Sequence, residues 1–178
     1  MTELENPAEP SARARPKWPA IAPWLSLAVR LGLAAVALWA AIPKLMDLPQ
    51  SRIAVGAYDV LPASLVGTVA VLLPLTELAL GLLFAAGLLT RYTSIFFGLL
   101  LAVFIAGIAQ AWARGINIDC GCFGGGGALP AEQKAPYLFE IARDLAFIAG
   151  CVYLVWQPRS RLSADRVFGL EPPGRNLP

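Results

Sequence analysis

Residues 64–89, SLVGTVAVLLPLTELALGLLFAAGLL, run for twenty-six positions with one ionisable side chain, Glu77. A bilayer core of about 30 Å is crossed by about 20 mostly apolar helical residues, so this stretch reads as a membrane span. Working outward, residues 22–42 (APWLSLAVRLGLAAVALWAAI), 92–112 (YTSIFFGLLLAVFIAGIAQAW) and 137–156 (YLFEIARDLAFIAGCVYLVW) read the same way, with polar or Gly/Pro breaks between them. None alternates as the strands of a membrane barrel must. The expected fold is all-α, an integral membrane four-helix bundle over residues 22–156.

Composition agrees. Of 178 residues, 57% are hydrophobic and only 15% charged, with a mean hydropathy of +0.63, against roughly 45–50% apolar and about 25% charged in a soluble domain. The absence of histidine removes His-ligated haem, His-based zinc or copper sites and Ser-His-Asp catalysis. A net charge of +2 without a basic tract leaves no footprint for nucleic acid. A lipid bilayer is the expected surrounding.

Loop charges set the orientation. Arg13, Arg15, Lys17, Arg91, Arg159, Arg161, Arg166 and Arg175 fall on one side, against Lys44, Arg52, Arg114 and Lys134 on the other. The excess places both termini in the cytoplasm. Trp24, Tyr92 and Trp156 then mark the inner headgroup level, and Trp112 and Tyr137 the outer, with Trp39 nearby. Residues 1–21 and 157–178 are Pro-rich and polar and read as solvated cytoplasmic tails, the first disordered. Between the first two spans, PQSRIAVGAYDVLP sets Ile53, Ala57 and Val60 or Leu61 on one face, a short outer interfacial helix. Small residues at spacing four, Ala28 with Gly32, Gly81 with Ala85 and Ala102 with Ala106, allow close helix approach.

The loop of residues 113–136 holds the chemistry. It contains Asp119-Cys120-Gly121-Cys122-Phe123 followed by four glycines, on the oxidising face. A bridge between positions i and i+2 closes a ring too small to remove much unfolded-state entropy, and its strained geometry makes it easy to reduce. Such a pair suits electron transfer better than stapling. Cys120 and Cys122 are thus the candidate catalytic residues, with two inert thiols, or a soft-metal site such as Cu(I), as the other readings of the same residues. Structural zinc is disfavoured by two thiolates and no imidazole, and the expectation is no metal. Cys151, deep in the fourth span, reads as a packing residue.

Charges inside spans are costly and mark functional sites by default. Arg30 and Glu77 lie about 12 and about 14 Å from the inner face by helical rise, which predicts an ion pair. Arg143 and Asp144 lie about 10 Å below the outer surface, one turn inside Glu140 and beneath the cysteine loop. Lys44, at the outer end of the first span, reaches Asp144 or snorkels outward. Pro74 is expected to kink the second span and open a polar cavity. These five charges read either as a structural ion-pair network or as a proton path beside a quinone pocket.

The order of VRLGLAAVALWAAIPKLMDLPQ (29–50), VLP (60–62), PLTELALG (74–81), DCGCFG (119–124) and ARD (142–144) resembles the MauE/DoxX-like redox-associated membrane proteins, above all the MauE proteins of methylamine utilisation. The resemblance covers about residues 26–156, with DCGCFG its most specific motif. It implies a four-helix bundle working beside a thioredoxin-like periplasmic protein, in the bacterial inner membrane. There it supports disulfide formation or maturation of a secreted enzyme such as methylamine dehydrogenase, with a quinone as a possible electron acceptor. A non-catalytic assembly factor or anchor for that partner, and a small transporter, are the competing classes; the chain shows no inverted repeat.

Overall fold

A computed structural model describes residues 18–130, 132–158 and 162–167. The tail charges Arg13, Arg15, Lys17, Arg159, Arg161 and Arg175, and the Arg166 side chain, lie outside what it describes. Four long helices dominate: α1 (Trp18–Met46), α3 (Ala63–Ala86), α4 (Thr90–Ala113) and α5 (Tyr137–Trp156). The short helix α2 (Leu48–Ala57) follows α1, β1 (Ile118–Asp119) and β2 (Gly127–Ala128) form a hairpin before α5, and α6 (Ala164–Val167) follows it.

Ile21–Met46, Ala63–Ala86 and Thr90–Ala113 are long and apolar enough to cross a membrane. Helix α5 has a span's length, 20 residues, but carries Glu140, Arg143 and Asp144 in its first half, so composition sets it apart from those three. The chain is a multi-pass helical membrane protein in which α3 packs along α1 and α5 along α4, with α1–α5 and α3–α4 contacts joining the pairs. Large apolar side chains such as Leu72, Phe96, Leu99 and Val103 point outward, while Arg30, Lys44, Glu77, Glu140 and Asp144 are buried. That inversion is what lipid, rather than water, stabilises outside the bundle.

The main core joins Leu33, Ala34 and Ala37 of α1, Phe84 of α3, Phe97 and Leu101 of α4, and Cys151 and Leu154 of α5. Phe84 and Phe97 meet edge to face at 5.7 Å, a favoured ring geometry. Cys151 is a packing residue here, as its position suggested. Of the small-residue pairs, Gly81 is in contact, against Leu38 of α1, whereas Gly32 faces open space and Ala28, Ala85, Ala102 and Ala106 are exposed.

Element ends follow from local chemistry. Asp47 caps α2, its side chain accepting the Gln50 backbone N–H at 2.9 Å. Helix α2 ends at Ala57, so Val60 and Leu61 fall beyond it, and its buried face is Ser51 and Ala54 while Ile53 is exposed. Pro74 cannot bond the carbonyl of Ala70, four residues back; the Ser51 hydroxyl of α2 donates to that oxygen at 3.1 Å. The proline thereby ties α2 to α3.

The α3–α4 turn departs from expectation. Gly87 closes α3 at φ +66°, and Asp165 of α6 accepts the N–H of Leu89 and, at 2.9 Å, of Thr90. Ser163 donates to the Gly87 carbonyl at 2.7 Å. Part of the tail read as solvated is therefore docked, because the first N–H groups of α4 have no partner within their own helix.

Candidate functional site: a dithiol loop over buried charges

The cysteines sit where the chain folds back on itself. Ile118 pairs with Ala128 and Asp119 with Gly127 in the antiparallel hairpin. Gly121 (φ +65°) and Gly126 (φ +88°) cross so closely over Ala54 of α2 that a Cβ on Gly126 would stand 2.7 Å from both the Gly121 Cα and the Ala54 Cβ. Only glycine fits that approach. Gly121 and Gly126 thereby shape the loop.

Neighbouring elements fix it. The Tyr58 hydroxyl donates to the Cys120 carbonyl at 3.0 Å, and the Gln50 side chain donates to the Gly126 carbonyl at 2.7 Å. Tyr137 is buried: its hydroxyl accepts from Ile118 N–H at 2.9 Å and donates to the Ile116 carbonyl. Tyr137 is a post beneath the loop, satisfying backbone groups of Ile116 and Ile118 that would otherwise be buried unpaired.

Both cysteines are free thiols, Cys122 buried and Cys120 half-buried. The Cys122 N–H donates to Cys120 Sγ at 3.3 Å. The pair is electrostatically split. A hydrogen bond from the Cys120 side chain holds Cys122 below the ordinary thiol range, helped by Arg143 and Lys44 and opposed by burial and Asp144. That bond, with burial, pushes Cys120 well above it. The split favours the thiolate form at Cys122 over Cys120, and the sulfur of lower pKa is the better leaving group in exchange. Burial above all, with the two cysteines, Glu140 and Asp119 nearby, raises Tyr58, so its hydroxyl stays a donor.

Four of the five intramembrane charges converge beneath the loop. Lys44 Nζ lies 2.7 and 2.9 Å from the two oxygens of Glu77 and 5.5 Å from the Phe104 ring centre. Arg143 bonds Asp144 at 2.9 and 3.0 Å and stacks 4.7 Å from the Phe123 ring centre, so Phe123 links the loop to α5. Arg30 is elsewhere. It donates to the Leu162 carbonyl beside Gly87, within the electrostatic reach of Asp165. The expected Arg30–Glu77 pair is thus corrected: depth was counted from assumed span ends, whereas Arg30 stands level with the end of α3 and Glu77 with the far end of α1.

Sequence reasoning passed over Glu140. Its carboxylate, Cys120 Sγ and the Asp119 carboxylate each place an atom within 4.8 Å of the others. Donors of this kind can hold a metal, but the Arg143 guanidinium also faces the Cys120 sulfur, and a fixed cation beside the ligand atoms opposes a second one. The trio reads as an acid–base group. A charged residue at the first turn of α5, one helical turn before Asp144, was the signal that could have found it.

A cavity of about 360 Å³ opens against the thiols, bounded by Val55, Leu61, Leu73, Val103 and Phe104, with Lys44, Tyr58, Cys120 and Cys122 on its wall. Its walls are largely apolar.

Fold and site define a class, a multi-pass helical membrane protein bearing a Cys-x-Cys loop above paired charges. The chain belongs to the methylamine utilisation protein MauE family, whose profile matches residues 22–157. No curated protein and no solved structure matches it. Membership implies a role in methylamine utilisation.

Proposed function

We propose that this chain is a membrane thiol-disulfide redox protein that passes electrons between a thioredoxin-like partner and a membrane acceptor. The observation that carries the reading is the split Cys120/Cys122 pair on the wall of an apolar cavity. The half-buried Cys120 meets the partner outside the bilayer, and the cavity meets a lipid-soluble acceptor, a quinone. In this reading α5 is the fourth span of a domain covering residues 22–156, residues 113–136 are the redox loop on the outer face of the bacterial inner membrane, and both tails are cytoplasmic. The client is a secreted enzyme of methylamine utilisation such as methylamine dehydrogenase.

Exchange proceeds by balanced steps. A partner thiolate attacks Cys120 of the oxidised pair, a sulfur–sulfur bond forms between them, and Cys122 leaves with the electron pair as the stabilised thiolate. The partner's second thiolate then attacks its own sulfur in the mixed disulfide and releases Cys120. The reduced pair is re-oxidised to the disulfide as its two electrons pass to the quinone, which takes up two protons from water to become the quinol. Lys44 and Arg143 offset the thiolate charge, with Glu77 and Asp144 holding each cation in place; Arg30 anchors the opposite end.

Alkylation and mass shift of Cys120 and Cys122 in cells, with and without quinone depletion, test this. The pair should be mainly oxidised and become reduced on depletion, and C122S should trap a mixed disulfide through Cys120. Client maturation unimpaired in a C120S/C122S double variant would overturn the reading in favour of an assembly factor.

A further inference from the structure

We propose that Glu140 is the proton donor and acceptor for the Cys120 sulfur during exchange, a role that rests on the redox reading above. Glu140 is 4% exposed, its Oε2 has no hydrogen-bond partner among the described residues, and its carboxylate lies within 4.8 Å of Cys120 Sγ. Burial of a carboxylate with an oxygen left unpaired is costly. The cost is understandable where the oxygen has a proton to take up.

The chemistry needs such a group at that sulfur. In the resolving step the partner's second thiolate bonds to the partner's first sulfur, the bond from that sulfur to Cys120 breaks, and Cys120 leaves with the electron pair. Its sulfur then takes the proton of the Glu140 carboxylic acid, giving the Cys120 thiol and the Glu140 carboxylate. On re-oxidation the two electrons of the pair pass to the quinone, the Cys120 and Cys122 sulfurs bond to each other, and the Cys120 proton returns to Glu140. Cys122 needs no such partner, because Cys120, Arg143 and Lys44 stabilise it as a thiolate.

The groups facing Glu140 come from every neighbouring element. They are Asp119 on β1, Cys120 in the loop, Arg143 on α5 itself and Tyr58 after α2. Asp119 is the least buried of the trio with Cys120 and Glu140. Proton transfer by a positioned side chain is geometric first, and this carboxylate is the group in reach.

The test uses the full chain in lipid nanodiscs, oxidised at Cys120–Cys122 and reduced by dithiothreitol, with rates divided by dithiothreitol thiolate concentration across pH. In the wild type the normalised rate should fall as pH rises and Glu140 loses its proton. E140Q, which cannot carry a proton, should give a flat profile and a rate lower by about a hundredfold at the acid end. E140D, which keeps the proton on a shorter arm, should keep a sloping profile, and this guards against a folding defect in E140Q. An E140Q profile that matches the wild type, or a flat one in E140D, would overturn the Glu140 role alone. A wild-type pair that neither forms a disulfide nor is reduced would overturn the redox reading beneath it.

Discussion

Lys44 Nζ stands 2.7 Å from Glu77 Oε1, with both side chains almost wholly buried, so the last turn of α1 is fastened to the middle of α3 by two opposite charges. Removing one member of a buried pair leaves an uncompensated charge. E77A and K44A should each lose about 3–5 kcal/mol of stability, whereas K44M/E77L should fall close to the wild type. Denaturation in mixed micelles reads the difference. A double-variant loss equal to the sum of the two single losses would show that the pair does not act as one.

The thiol split predicts reactivity that depends on pH. With its pKa lowered, Cys122 stays thiolate below the ordinary thiol value of about 8.5, so its alkylation by iodoacetamide in the reduced protein should persist to lower pH than that of an unperturbed cysteine. C120A removes the largest cause and should move the Cys122 profile to higher pH. Rates by peptide mass mapping decide it, and an unmoved profile would assign the stabilisation to Arg143 and Lys44 instead.

Gly81 of α3 and Gly32 of α1 should respond to alanine in opposite ways. A Cβ at Gly81 meets Leu38 at 2.9 Å, while at Gly32 it meets nothing within 4 Å. G81A should destabilise by about 1–3 kcal/mol through overpacking, and G32A should be neutral or stabilise by up to about 1 kcal/mol through helix propensity. Thermal unfolding in one detergent compares them directly.

The clasp at the other end predicts a stability effect remote from the thiols. D165A strips the cap from Leu89 and Thr90 and should cost about 1–2 kcal/mol. Limited proteolysis at the α3–α4 turn should speed up in this variant while dithiothreitol exchange at Cys120–Cys122 keeps its wild-type rate. Slowed exchange would mean that the two ends are coupled.

What the sequence by itself determined is what is local or additive. Apolar length marked the three long helices able to cross a membrane, and Cys120-Gly121-Cys122 marked the loop that carries the thiol pair, because each depends on neighbours along the chain or on transfer to lipid. Tertiary structure alone decided which charges meet. Helical rise gave Arg30 and Glu77 nearly equal depth, yet a pair forms only when helix register and side-chain reach agree, and Lys44 has both for Glu77. Ser51 serving the carbonyl freed by Pro74, Asp165 capping α4 and Glu140 standing beneath Cys120 were likewise hidden. Each joins residues distant in sequence, and the need to satisfy a buried polar group states that a partner must exist without saying which one.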